Sequence, residues 1–305
     1  MKKKRLDAYL CEKQYFETKT KAQNAILAGD VQLNGETIYK PAYDIDESKE
    51  YTINIKTLKY VSRGGFKLEK ALLAFDINLE DKTCLDAGAS SGGFTDCMLQ
   101  NNAKFVYAVD VGYGQLAWKL RQNTNQVKVI ERTNIKNCDY SQIYDEKDLL
   151  PSFCAMDLSF ISILKVLDNI NKLTSNNCEI VALIKPQFEA GKENVGKNGV
   201  VKDKKVHFNI ISNIINQTQK LNLKTLNLTF SPIKGPKGNI EYLIHFKKDE
   251  QNQSLIGEND IQKIIDEAFS SLKFTNILSY VKKNIYNEQF FMYICFFINI
   301  EVSIS

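Results

Sequence analysis

The spacing of apolar positions changes near residue 60 and divides the chain in two. Before that point, Leu6, Tyr9 and Leu10 recur at helical spacing, and Ala22, Ala25, Ile26 and Leu27 mark a second helix. Thr18 stands where an N-cap belongs, and Gly29 follows the last apolar position, where a left-handed residue ends a helix. Val31-Gln32-Leu33 then alternates, Asn34-Gly35 is a two-residue turn signal, and Thr37-Ile38-Tyr39 reads as the returning strand. The alternation over residues 51–55 predicts one more strand and closes a small module of two helices and strands.

From Tyr60 onward, short continuous apolar runs alternate with helical patterns, the signature of an α/β, doubly wound parallel sheet. The predicted strands are 83–86, 105–109, 127–130, 153–156, 179–184 and 241–246. A polar stretch over 247–259 leads into 261–272, where Ile261, Ile264, Ile265, Ala268 and Phe269 share one helical face. The expected organisation is therefore a module at 1–57, a linker at 58–61, a large domain at 62–272 and an extension of unassigned role at 273–305.

Composition narrows the classes. The chain has 305 residues, 44% of them hydrophobic, enough for a substantial core, and a formal charge of only +4, so net charge does not announce a nucleic-acid partner. Seven cysteines are scattered without a C-x-x-C pair, and only His207 and His245 are present, so reduced, mostly buried thiols and no metal are expected. The basic start, Met1-Lys2-Lys3-Lys4-Arg5, is not followed by an apolar core of signal-peptide type. The most apolar run, 290–298, is shorter than the roughly 18 residues needed to span a bilayer. A cytoplasmic protein, with no membrane and no obligate protein partner, is the expectation.

One turn carries chemistry. Leu85-Asp86-Ala87-Gly88-Ala89-Ser90-Ser91-Gly92-Gly93-Phe94 places small residues between an apolar strand and a helix, where backbone can approach a ligand closely. Asp110, 22 residues beyond Gly88, ends the next strand, where a carboxylate can accept from a ribose diol. A nucleoside-containing cofactor follows, bound by Asp86, Gly88, Ser90, Gly92, Phe94 and Asp110. NAD and S-adenosylmethionine remain open on this feature, although two carboxylates suit a cationic sulfonium better than a pyrophosphate.

Longer motifs surround this turn: Tyr60-Val61-Ser62-Arg63-Gly64-Gly65-Phe66-Lys67, Ala108-Val109-Asp110-Val111-Gly112-Tyr113-Gly114, Asp157-Leu158-Ser159-Phe160-Ile161-Ser162, Leu183-Ile184-Lys185-Pro186-Gln187-Phe188-Glu189 and Ser231-Pro232-Ile233-Lys234-Gly235-Pro236-Lys237-Gly238-Asn239-Ile240-Glu241. With them the chain resembles the TlyA family of S4-domain methyltransferases, often labelled hemolysin A, over residues 5 to about 272. The resemblance implies an S4 RNA-binding module followed by an FtsJ-like, Rossmann-like class I methyltransferase domain. It implies an enzyme that moves a methyl group from S-adenosylmethionine to a ribose 2'-hydroxyl of ribosomal RNA, at cytidine in the 16S or 23S molecule or both, with ribosomal RNA or ribosomal subunits as partner.

The resemblance maps a Lys-Asp-Lys-Glu set onto Lys67, Asp157, Lys185 and Glu241. Lys185, at the end of a buried strand, is then the base or the residue that positions the hydroxyl, and Asp157 also lies near the cofactor. RNA contact is expected from Arg63, Lys234 and Lys237, and from Arg5 and Lys19 in the small module. The usual Ser-Arg at the start of the second helix is here Thr18-Lys19, which keeps the cap and a charge but not the two-pronged grip of arginine. The competing readings are a membrane-lytic hemolysin and a noncatalytic RNA-binding or ribosome-assembly module. A pseudouridine synthase, another carrier of S4 modules, has no use for the glycine-rich turn.

Overall fold

The structure, a computed structural model, describes residues 3–16, 18–55, 59–249 and 253–284. Leu58 of the expected linker, Cys295, the apolar run 290–298 and most of the expected extension lie outside the described residues. The chain divides into two units, Met1–Lys59 and Tyr60–Ser305.

The first unit runs β1 (Lys3–Arg5), α1 (Leu6–Glu12), α2 (Lys19–Ala28), β2 (Val31–Leu33), β3 (Glu36–Thr37), β4 (Asp44–Asp46) and β5 (Ile53–Ile55). Strands β3, β2 and β5 form one antiparallel sheet, and β1 pairs with β4. Thr18 Oγ1 accepts from Lys21 N at 3.2 Å, and Gly29, at φ 78°, ends α2 as the sequence suggests. Strands β1 and β4, three residues each and mostly charged, escape a hydrophobic-pattern reading. Leu6, Leu10, Ala22, Ile26, Val31, Leu33 and Ile45 make the core.

Asp7 is fully buried in this unit. Its carboxylate accepts from Arg5 Nε at 3.1 Å and Nη2 at 2.7 Å, and from Gln23 Nε2 at 2.7 Å, tying α1 to α2. The Arg5 hydrogen bonds outweigh burial and hold the acid down to about 2.

In the second unit, α3 (Gly64–Phe75), β6 (Thr83–Ala87), α4 (Gly93–Gln100), β7 (Phe105–Val109), α5 (Trp118–Gln122), β8 (Val127–Ile130), β9 (Phe153–Met156), α6 (Leu164–Leu173), β10 (Glu179–Ile184), α7 (Pro186–Glu189), α8 (Lys204–Gln219), β11 (Leu223–Phe230), β12 (Tyr242–Lys248) and α9 (Glu258–Asn284) follow in order. A seven-stranded sheet in the order β11-β12-β10-β9-β6-β7-β8 lies between helices. One face packs residues of α3 and α4, such as Leu68, Leu72, Phe94 and Met98. The other packs residues of α6, α8 and α9, such as Leu167, Ile211, Ile214 and Ile265.

The sheet departs from the all-parallel expectation at one edge. β12 is antiparallel to both β10 and β11, because a turn rather than a crossover helix joins β11 to β12. β11 itself is a strand that the apolar-run reading omits. Its Leu223, Thr225 and Leu228 are buried while the positions between them are part-exposed, and a bulge falls between Thr225 and Asn227. Gly64-Gly65, read as loop, opens α3, and α9 continues through the expected boundary at 272. Of the six described cysteines, Cys84, Cys97, Cys138, Cys154 and Cys178 are buried and form no disulfide, and burial pushes the Cys84 and Cys178 thiols up to about 12. Among the described residues no helix is long and apolar enough to cross a membrane, and no cluster of metal-ligating side chains occurs.

Because the folded chain depresses the Asp7 acid from 3.8 to about 2, the stability it contributes is complete above the unfolded value and is lost as pH falls toward 2. Amide hydrogen exchange in α1 and α2 of the full chain is expected to accelerate over that window. In Asp7→Asn that step disappears and protection is lower already at neutral pH, by roughly 1–3 kcal/mol, as expected for a broken buried hydrogen-bond network.

Candidate functional site

The carboxyl ends of the parallel strands converge on one edge of the sheet. Gly88 follows β6, Asp110 follows β7, Asp157 follows β9 and Lys185 follows β10. The antiparallel strand adds a fifth group: Ile184 pairs with Tyr242, so Glu241, immediately before β12, comes level with Lys185. A strand running the other way thus starts where its neighbours finish.

Lys67 reaches the same edge from the first turn of α3, whose Leu68 and Leu72 are packed in the core. Its ammonium donates to Glu241 Oε2 at 2.7 Å and lies 3.5 Å from Asp157 Oδ2. Asp157 Oδ1 in turn lies 2.5 Å from Lys185 Nζ, an ion pair rather than an in-line hydrogen bond, so that oxygen keeps an unused acceptor direction. Lys185 Nζ donates to Ser159 Oγ at 2.8 Å. The four charges alternate in sign as Glu241, Lys67, Asp157, Lys185 and sum to zero. Glu241 is only 1% exposed and both lysines 8%, so each charge has a neighbour of opposite sign where water is scarce.

Two clefts open onto this chain and share Gly88, Ser90, Asp157 and Ser159. The first, about 290 Å³, adds Ser62, Arg63, Lys67, Lys185, Lys234 and Pro236. The second, about 460 Å³, is walled by Val109, Ile135, Leu158, Ile161 and Val166, with Asp110 at its polar end. An apolar slot beside a carboxylate suits a nucleoside. Asp110 Oδ2 accepts from Ser90 N at 2.8 Å and Oδ1 from Gly112 N at 2.6 Å, which fixes the carboxylate and leaves lone pairs for a diol. Gly88 has φ 92°, and a Cβ there would sit 2.8 Å from Asp157 O, so only glycine lets the turn pass over the end of β9.

Not every expected ligand-binding residue reaches a cleft. Ser90 lines both. Phe94 touches the smaller one while its ring is buried in the core. Gly92 faces Leu116 and Leu120 rather than a cleft. Asp86 is fully buried under the turn, where Oδ2 accepts from Thr95 Oγ1 at 2.6 Å and Oδ1 has no hydrogen-bond partner. Desolvation, opposed by the Thr95 hydrogen bonds and reinforced by Asp157 and Asp110, pushes its acid up to about 7.

Among the basic residues singled out from sequence, Arg63 and Lys234 line the smaller cleft, whereas Lys237 lies exposed across Gly199. In the amino-terminal unit Arg5 is engaged with Asp7 and half exposed, and Lys19 is exposed at the start of α2. Sequence reasoning overlooked Ser159, the partner of Lys185, and Phe160. The latter is 90% exposed at the rim of the larger cleft, at φ 65°, with its ring 5.1 Å from that of Phe188. An exposed aromatic in a strained conformation leaves no signal in an apolar pattern.

Comparison with known proteins fits this arrangement. Residues 60–248 match the profile of the FtsJ-like methyltransferases, and residues 4–50 that of the S4 domain. Hemolysin A of Brachyspira hyodysenteriae is 47% identical over 242 residues, 79% of this chain and 99% of that protein. The 16S/23S rRNA (cytidine-2'-O)-methyltransferase TlyA of Mycobacterium tuberculosis is 37% identical over 267 residues, 87% of this chain and 97% of its own. A solved Streptococcus thermophilus protein, provisionally described as a hemolysin, is 40% identical with a TM-score of 0.72, covering 90% of this chain and 99% of that one.

Since the folded chain holds the Asp86 proton up to about 7 against an ordinary 3.8, it binds more protons than the unfolded chain between those values, and stability falls as pH rises through them. Asp86→Asn is expected to fold and to flatten that decline by more than about 1 kcal/mol, the equivalent of one pKa unit. Urea unfolding at pH 5 and pH 8 checks it.

Proposed function

The chain belongs to the FtsJ-like methyltransferases that carry an amino-terminal S4 domain, and we propose that it transfers the methyl group of S-adenosylmethionine to a ribose 2'-hydroxyl of ribosomal RNA, at cytidine. The observation that carries this reading is the Glu241–Lys67–Asp157–Lys185 chain at the floor of a cleft that adjoins a nucleoside-shaped slot. The slot fits the cofactor: Gly88 and Ser90 would approach it with backbone, Asp110 would accept from its ribose, and Leu158, Ile135 and Ile161 would face its base.

S-adenosylmethionine supplies an electrophilic methyl group on a positively charged sulfur. Asp157 lines both clefts, so one carboxylate faces the cofactor side and the acceptor side. Lys185 holds the acceptor oxygen at the floor of the smaller cleft, and the Lys185–Asp157 pair takes the hydroxyl proton as the O–C bond forms and the methyl–sulfur bond breaks, its electron pair staying on the sulfur of the departing thioether. Lys67 and Glu241 hold Asp157 in place from behind. Arg63 and Lys234 meet the phosphates flanking the acceptor, Phe160 offers a stacking face to an unpaired base, and Arg5 and Lys19 provide basic contacts on the S4 unit.

Purified protein incubated with labelled S-adenosylmethionine and unmodified 30S and 50S subunits is expected to label at least one particle at a nucleotide resistant to alkaline cleavage. Lys185→Ala should bind the cofactor with unchanged affinity and lose about 10²–10⁴-fold in transfer rate. Alkali-sensitive label, or full activity in Lys185→Ala, would overturn the reading.

A further inference from the structure

The segment over residues 191–203, between α7 and α8, plays no part in the chemistry above, yet both its ends are tied to the site. It leaves from the short helix that follows Lys185, and its far end is pinned to the turn that carries Lys234 and Glu241. Four polar contacts do the pinning. Asn239, 1% exposed, donates from Nδ2 to Gly199 O at 2.8 Å and accepts from Val201 N at 3.0 Å through Oδ1. His207, fully buried, meets Val201 O through Nε2 at 3.1 Å and Tyr242 Oη through Nδ1 at 2.7 Å. Tyr242 is the residue after Glu241, so the backbone at 199–201 is locked to the strand that brings the glutamate to the ion chain.

The locked segment shows basic side chains to solvent. Lys197 and Lys202 are exposed on the walls of a concavity of about 440 Å³ formed by residues 193–203, and the Lys237 side chain lies across Gly199 from the neighbouring turn. No carboxylate among the described residues forms an ion pair with any of the three. The acidic neighbours are otherwise engaged: Asp203 caps α8 by accepting from Lys205 N, and Glu193 accepts from Asn194. Free ammonium groups held on a rigid backbone next to an acceptor cleft are what a polyanionic strand needs, since little loop entropy is lost on contact.

We infer that residues 191–203, pinned by Asn239 and His207 and continued by Lys237, form a docking surface for the sugar-phosphate backbone of RNA beyond the acceptor nucleotide. The inference rests on the proposed function for its choice of partner. It adds Lys197 and Lys202 as phosphate contacts and gives Asn239 and His207 the part of positioning residues.

The test is equilibrium binding of the full chain, with S-adenosylmethionine present, to unmodified 16S and 23S rRNA across a salt titration. The variant K197E/K202E is compared with K104E/K147E, which makes the same change in charge near the opposite, amino edge of the sheet, before β7 and β9. K197E/K202E is expected to bind RNA at least about tenfold more weakly, with the salt slope reduced by about two, and to keep its cofactor affinity. Binding within twofold of K104E/K147E overturns the surface. Weakened binding in K197E/K202E, when the parent chain binds RNA but methylates neither particle, upholds the surface and overturns the proposed reaction. A parent chain that binds neither RNA overturns both.

Discussion

Four charges in near-zero water hold the second unit's working edge together. Glu241 cannot be buried to 1% exposure without the Lys67 ammonium at 2.7 Å, and Lys67 in turn reaches Asp157, which pairs with Lys185. Removing one member of such a buried set leaves an uncompensated charge, a cost of about 3–5 kcal/mol. The members come from α3 and from the ends of β9, β10 and β12, so the ion chain fixes how a helix and three strands meet. The two clefts take their shape from that junction: Asp157 is a wall of both, while Lys67 and Lys185 line only the smaller.

The reversed strand explains why this set can form. In an all-parallel sheet, a residue at the start of a strand lies on the edge opposite the ligand cleft. Because β12 runs against β10, the start of β12 falls beside the end of β10, and Glu241 meets the lysines. The turn before β12 then does two further things. It sets Lys234 and Pro236 into the cleft, and through Asn239 it secures the basic segment between α7 and α8.

Much of this was legible in the residues. The six apolar runs read as strands, the caps at Thr18 and Gly29, and the turn from Gly88 to Gly93 follow from hydrophobic period and backbone chemistry, and the structure has them within a few residues. The family resemblance named the four ion-chain positions, and the structure brings them into one line. β11 was not legible because polar Lys224, Thr225, Asn227 and Thr229 break up its apolar run and a bulge breaks its alternation, and the direction of β12 cannot be read from composition at all. Asp86 looked like a ligand contact because it stands in the glycine-rich motif. Its neighbour Thr95, in the first turn of α4, makes it instead an inward-facing acid beneath the turn. Phe160 and Ser159 depend on local backbone shape after β9, which no periodic signal encodes.

The central claim is that the buried charges act as one unit in building the acceptor site. A double-mutant cycle on Lys67→Met and Glu241→Gln, read as single-turnover methyl transfer to the labelled particle, tests it most directly. A unit predicts that the double variant is impaired no more than the worse single variant, with a coupling above about 1 kcal/mol. Additive losses would mean that the two residues act independently and would contradict the account.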